Sequence, residues 1–200
     1  MKRLTVTILV VLMLASLLGC GIAAKTIAAR SISERSDVFT EVSVNDVVPS
    51  GYVDVLIRAD IKRPLEGSSS GESKTSSHGK ETYPFLINID GQAALWRAEG
   101  KDHELPRYVD GITSRDPEAG SGMKYVLEKR VRLASGTHTV FFGLPEESYY
   151  TVADITAASG NANVLVFKPR YWHKHLAIRI PTFLKGISTY EVYVDGVKVK

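Results

Sequence analysis

The sequence predicts an all-β fold, a single antiparallel β-sandwich. Three observations carry this expectation. Val53, Val55, Ile57, Ala59 and Ile61 alternate with Asp54, Arg58, Asp60 and Lys62, the two-residue period of a strand buried on one face. Phe85, Ile87 and Ile89 repeat the pattern and run into Asp90-Gly91, a dipeptide suited to a type I′ hairpin because both central residues need positive φ. The body has no strong 3.6-residue period, and its short apolar runs are separated by glycine-containing turns.

The chain opens differently. Lys2 and Arg3 precede an apolar run from Leu4 to Leu18, followed by Gly19 and Cys20. A positive start, an apolar stretch and a small residue before the cut are the parts of a secretory signal. Leu17-Leu18-Gly19-Cys20 resembles the lipobox of bacterial lipoproteins. The resemblance implies a signal peptide over residues 1–19, cleavage before Cys20, and a thioether-linked diacylglycerol plus an N-acyl chain such as palmitate on Cys20. Two or more acyl chains anchor a protein stably where one does not. Gly21 stands where an Asp would imply inner-membrane retention, so the resemblance implies the outer membrane, with the inner membrane as runner-up and the domain in the periplasm or at the surface. The competing reading is an uncleaved anchor, because residues 4–24 give about 21 mostly apolar positions against the ~20 needed to span a bilayer. Thr5, Thr7, Ser16 and the glycines beside Cys20 weigh against a stable spanning helix.

Composition narrows the function classes. Lys and Arg number 25 against 22 Asp and Glu, and without Lys2 and Arg3 the count is 23 against 22, a net charge near +1. That balance offers no electrostatic case for nucleic acid and no polybasic patch for anionic lipid. Cys20 is the only cysteine, so the acylated domain has no disulfide and relies on its own core. Residues 20–36 read as the lipidated cysteine and a flexible tether, with a short helix allowed over 22–30. Residues 37–200 read as one domain, long enough to bury an independent core.

Within that domain four hairpins are expected. They turn at Asp90-Gly91, at Ser135-Gly136, at Ser159-Gly160-Asn161 and at Asp195-Gly196. Long loops are expected at about 64–82, which is rich in serine, and at about 98–122, which is rich in charge. The stretch Arg132-Leu133-Ala134-Ser135-Gly136-Thr137-His138-Thr139-Val140 resembles a hairpin of PEGA-type and related Ig-like bacterial surface domains. Ile89-Asp90-Gly91-Gln92 and Val164-Leu165-Val166-Phe167-Lys168-Pro169 are similar to their flanking turns and last strand. The resemblance spans roughly residues 50–170 and lacks the Pro-Glu-Gly-Ala signature. It implies an Ig-like/PEGA-like sandwich and a non-catalytic surface or scaffold module.

Candidate chemistry is sparse. Gly67-Ser68-Ser69-Ser70-Gly71 has the letters of a hydrolase elbow but not its strand-to-helix context. Ser121 and Lys124 have the spacing of penicillin-binding enzymes, yet three residues apart on a strand they face opposite ways. Asp102, His103, Glu104 and Tyr108 in the 98–122 region form a candidate binding loop, with Trp172 as a further contact, and the same region could house a small periplasmic hydrolase. Trp96, Tyr149, Tyr150 and Tyr171 join Tyr108 and Trp172 as candidates for a sugar-stacking platform. His173 and His175 share one face of a strand, so a metal-binding lipoprotein is the third reading. No calcium loop, phosphate loop or dinucleotide fingerprint is found. The leading expectation is a non-enzymatic, lipid-anchored envelope module. It needs no cofactor beyond the lipid on Cys20, and its partners are the membrane and an envelope protein or the cell wall.

Overall fold

A computed structural model describes residues 21–68, 78–172 and 182–200. It is all-β apart from one helix, α1 (21–30), and short 3-10 turns. The strands are β1 (Phe39–Glu41), β2 (Tyr52–Arg63), β3 (Thr82–Ile89), β4 (Gln92–Leu105), β5 (Tyr108–Val109), β6 (Ile112–Thr113), β7 (Gly120–Ala134), β8 (Gly136–Leu144), β9 (Tyr149–Ala157), β10 (Val164–Tyr171), β11 (Ile187–Val194) and β12 (Val197–Lys198). They form one large sheet in the order β12-β11-β10-β2-β7-β4-β3-β8-β9, with β1 also on β7, and a separate β5-β6 hairpin.

The sheet curls so that its two halves share one core. Phe142 on β8 stacks on Phe167 on β10 at 4.2 Å between ring centroids, and Tyr190 on β11 lies 4.9 Å from Phe142. Val53, Val55, Ile57, Ala59 and Ile61 of β2 all point into this core, as their alternation predicts. Where the free edge of β9 approaches β11 and the last residue of the chain, side chains rather than a backbone ladder bridge them. The Tyr149 hydroxyl accepts the Tyr190 N–H at 2.8 Å, and Lys200 Nζ donates to the Val152 carbonyl at 2.9 Å.

Four expectations are corrected. The sheet is mixed rather than antiparallel, because β10 pairs with β2 in parallel, from Val164↔Leu56 to Phe167↔Ala59. Of the four expected hairpins, Asp90-Gly91 and Asp195-Gly196 are hairpins, with Asp90 at φ 47° and Gly91 at φ 94°. Ser135-Gly136 and Ser159-Gly160-Asn161 are corners instead: β7 pairs with β1, β2 and β4, β8 with β3 and β9, and β10 with β2 and β11. The 98–122 loop is mainly strand, since β4 runs to Leu105, β7 begins at Gly120, and the two pair from Gly100↔Tyr125 to Leu105↔Gly120. The part of the 64–82 region at 69–77 lies outside the described residues.

The fourth difference concerns residues 21–36, which pack on the domain instead of running free. Ile27 of α1 is buried with Leu86 and Phe141 on the outer face of the β3-β8 half. Asn88 Nδ2 donates to the Arg30 carbonyl at 2.9 Å, Ser33 Oγ bonds both the N–H and the carbonyl of Ala93, and the Glu34 N–H reaches the Gly91 carbonyl at 2.8 Å. Among the described residues no helix is long and apolar enough to cross a membrane.

Because Phe142 touches both halves of the sheet, Phe142→Ala is expected to destabilise the domain by about 3–5 kcal/mol, the usual range for a buried phenylalanine. A urea unfolding curve with an unchanged midpoint would show that the halves do not depend on this stack.

Candidate functional site

A dense group of charged side chains lies at the end of the sheet where β2 and β10 finish and β7 begins. Lys62, Lys124 and Lys101 are register partners across β2, β7 and β4, so three ammonium groups fall in one row on the outer face. Lys62 is fully buried there. Its Nζ donates to the carbonyls of Glu118 and Gly120, both at 2.7 Å, and lies 4.7 Å from the centre of the Phe183 ring. Burial pushes the Lys62 ammonium below its ordinary value, and the Glu118 carboxylate opposes that shift. Gly122 makes this arrangement possible, since a Cβ there would come within 2.7 Å of Lys62 Cε and 2.8 Å of the Arg63 carbonyl.

Around Lys62 the charges saturate one another. Lys124 Nζ donates to both Glu118 oxygens, at 2.6 and 2.7 Å, and also pairs with Asp60. Tyr171 donates to Glu118 at 2.8 Å and accepts the Lys62 N–H at 2.8 Å. Burial, reinforced by Glu118, drives the Tyr171 hydroxyl far above the ordinary phenol value, so it stays protonated. On the other side of β2, Arg63 pairs with Glu147, which also accepts from Tyr83 at 3.4 Å. The group fixes the 114–120 loop and the 3-10 turn at Thr182–Lys185, whose Phe183 N–H bonds the Pro117 carbonyl at 3.1 Å. Lys62 has the lowered affinity for a proton that an amine nucleophile needs, but its nitrogen is enclosed and committed to two carbonyls.

The residues singled out in the sequence are dispersed. Asp102 and Glu104 are exposed on one face of β4, and Glu104 accepts from Ser121 Oγ at 3.1 Å. His103 faces the other way, opposite Gly122, and its buried Nδ1 has no hydrogen-bond partner among the described residues. Tyr108 lies on the β5-β6 hairpin and Trp172 just after β10, where its backbone N–H donates to the Gly186 carbonyl at 3.1 Å. Cys20, His173 and His175 lie outside the described residues. Ser121 pairs with Glu104 while Lys124 pairs with Glu118, so the two point apart as their spacing predicts. The aromatic candidates do not share a platform: Trp96 and Tyr171 are buried, Tyr149 bridges to β11, and Tyr150 stacks on Phe141. Among the described residues no group of three or more His, Cys, Asp or Glu side chains is placed to hold a metal ion.

His138 forms a pair with Asp90 that sequence reasoning left to the fold. Its Nδ1 lies 2.7 Å from Asp90 Oδ2 and its Nε2 lies 2.8 Å from the Ala134 carbonyl. Both nitrogens face acceptors, and Asp90 Oδ1 also takes the Thr139 N–H at 2.8 Å. The pair ties the Asp90-Gly91 turn to the β7-β8 corner and leaves no ring nitrogen for a substrate.

One exposed element is not explained by any of this. The β5-β6 hairpin consists of two residue pairs, Tyr108↔Thr113 and Val109↔Ile112, closed by Asp110-Gly111. Tyr108 is 67% exposed, Val109 54% and Ile112 67%, so the hairpin shows apolar groups on both faces. Sequence reasoning marked Tyr108 and missed the turn, although Asp110-Gly111 is the same dipeptide that closes two of the expected hairpins.

No protein-family model, curated protein or solved structure matches this chain. The fold is all-β with a curled mixed sheet, and its charged end is an internally paired cluster that fixes a loop.

Two outcomes follow. Lys62→Met keeps the length of the side chain but leaves the Glu118 and Gly120 carbonyls without their donor, with an expected cost of about 1–3 kcal/mol in urea unfolding and faster proteolysis within residues 114–119. Hydrogen bonds from Arg170, then Lys198, hold the Glu191 carboxylate down at about 2, below its ordinary 4.5. A depressed carboxylate stabilises the fold fully above the unfolded value and loses that contribution as the pH falls from about 4.5 toward about 2. Glu191→Gln is therefore expected to lower stability at neutral pH and to flatten the loss in that acid window, as read by thermal unfolding at a series of pH values.

Proposed function

We propose that this chain is a lipid-anchored envelope lipoprotein whose β domain is a non-catalytic binding or scaffold module. It presents the β5-β6 hairpin to another protein of the cell envelope. The observation that carries the reading is the hairpin itself. A lone two-stranded hairpin is marginal in water, and this one exposes Tyr108, Val109 and Ile112 at the end of a rigid strand pair. Covering an aliphatic or aromatic side chain of this size is worth roughly 1.5–3 kcal/mol, so a partner with an apolar groove would gain by enclosing it. The saturation of the charged cluster supports a binding role over a hydrolase, since Glu118, Lys124 and Tyr171 are all engaged with one another.

The lipobox-like Leu17-Leu18-Gly19-Cys20 supports the anchor, and Gly21 supports the outer membrane as its location. We read the curled sheet as a divergent relative of the Ig-like/PEGA-like sandwich. Two halves facing across Phe142 and Phe167, and the Asp90-Gly91 hairpin, support that relation, and the parallel β2-β10 pair departs from it.

A photo-crosslinking amino acid at position 108 in the native host is expected to give one discrete protein adduct, identified by mass spectrometry. The adduct is expected to fade when Val109→Ser and Ile112→Ser are introduced together. An adduct that survives the double substitution, or none at all in folded and correctly localised protein, would remove the hairpin from the binding role.

A further inference from the structure

The docked segment before β1 leaves no slack between the domain and its membrane attachment. Both attachments that the sequence allows, an acylated Cys20 and an uncleaved apolar segment over residues 4–24, put the bilayer at or just before the first turns of α1. Residues 21–30 are already helical, and Ile27 is already buried on the sheet. A flexible linker over residues 21–36 would lift a domain some 20–24 Å, whereas the helical stretch from 21 to the buried Ile27 spans only about 9 Å. The surface that carries α1 is therefore the surface next to the lipid.

That surface is the outer face of the β4-β3-β8-β9 half. The strand registers set two rows across it, Leu95-Leu86-Gly143-Tyr150 and Ala93-Asn88-Phe141-Val152. The α1 side chain Ile27 covers Leu86 and Phe141 at the centre. On either side the face remains apolar and open to solvent: Ile22 is 61% exposed, Leu95 52%, Tyr150 37% and Val152 36%. Exposed cations surround these groups. Lys25 and Arg30 are on α1, Arg97 is on the same face of β4, and Lys200 is held at the Val152 carbonyl. The acids on that face of the strands are Glu99 and Asp154, and Asp154 accepts from Thr139 Oγ1 at 2.7 Å. Apolar side chains with an aromatic among them, bordered by lysine and arginine, suit the headgroup and acyl boundary of a bilayer.

We infer that the α1-bearing face lies against the lipid surface, with Ile22, Leu95, Tyr150 and Val152 entering the interfacial zone. The inference rests on the membrane attachment in the proposed function and adds the orientation of the domain. The outer face of β7 gives a built-in control, because Val126 is 60% exposed on the other half of the sheet.

The test uses the full-length protein purified from its host and reconstituted into vesicles of phosphatidylethanolamine and phosphatidylglycerol carrying a nitroxide lipid labelled at headgroup depth. Leu95→Cys and Val126→Cys are made separately at these exposed positions and labelled with an environment-sensitive fluorophore, and intact mass reports whether Cys20 is acylated. The expected result is quenching several-fold stronger at position 95 than at position 126. Protein that floats with the vesicles yet shows equal quenching, or stronger quenching at 126, overturns the orientation and leaves the attachment standing. Position 95 shielded from water-soluble quencher but untouched by the lipid nitroxide means that a protein covers the face, which also overturns it. Protein that fails to float removes the attachment and the orientation together.

Discussion

At Gly100 the strand β4 changes partners, and the two halves of the sheet are joined through that exchange. Up to Glu99 it pairs with β3, and from Gly100 it pairs with β7. The side chains of β7 fill the space above this residue, so that a Cβ at residue 100 would lie 2.8 Å from Met123 Cγ and Sδ and from Tyr125 Cε1. Tyr125 fills the space a side chain would need, stacks obliquely on Tyr83 at 5.2 Å, and donates to the Lys80 carbonyl at 2.6 Å. The curl of the sheet, the shared core behind Phe142 and the position of the β5-β6 hairpin all descend from one strand serving both halves. A larger residue at position 100 would have to displace the Met123 and Tyr125 side chains, and with Tyr125 its packing on Tyr83.

The parts of this fold legible in the sequence are those in which one strand face is buried. β2 shows a two-residue period because every second side chain enters the core, and β3 keeps Phe85, Ile87 and Ile89 in the same core although α1 also covers its other face at Leu86. The second part of β4 shows none, because Lys101, Asp102 and Glu104 are exposed, and backbone pairing alone leaves no mark on hydropathy. The turns divide for a local reason. Asp90-Gly91, Asp110-Gly111 and Asp195-Gly196 each place two successive residues at positive φ, which is what a tight hairpin needs. At Ser135-Gly136 only the glycine does so, and the chain leaves one half of the sheet for the other. Residues 21–36 read as a tether because their docking depends on one buried isoleucine and a handful of backbone-directed hydrogen bonds, too few to form a pattern. Of the candidate site, Tyr108 was legible as an aromatic in a polar stretch. The Lys62, Lys124, Glu118 and Tyr171 cluster was not, since its members come from residues 62, 118, 124 and 171 and meet only through the sheet.

That cluster illustrates how a buried charge takes on a structural role. Lysine at position 62 continues an alternation that would put it in water, and the sequence reads it as the solvent side of β2. The 114–120 loop and Phe183 then cover it. Enclosing an ammonium is costly unless it is hydrogen-bonded and its charge is answered. Two carbonyls supply the first requirement, and Glu118, shared with Lys124, supplies the second. Buried ion pairs are weak sources of net stability, but the penalty for breaking them makes them good at selecting one arrangement of a loop. Here the selected loop is the one between the β5-β6 hairpin and β7, so the hairpin's base is held by the same charges.

The two surfaces proposed to make contacts are separated by the same strand. The first part of β4, through Leu95 and Arg97, belongs to the α1-bearing face, and its last part, through Leu105, leads into the hairpin. At about 3.4 Å per residue, the 14 residues of β4 span at most about 45 Å. In the tether reading, slack chain between lipid and domain provides the reach toward a partner. In this structure that length of chain is docked, and a paired strand takes over as the spacer. A strand holds its end at a set distance and direction, while a flexible linker only bounds the distance. Under the proposed function, a hairpin mounted in this way would meet a partner in one orientation, at the loss of the wide sampling a loose tether would give. That exchange suits a scaffold between fixed envelope components better than a capture device that must search.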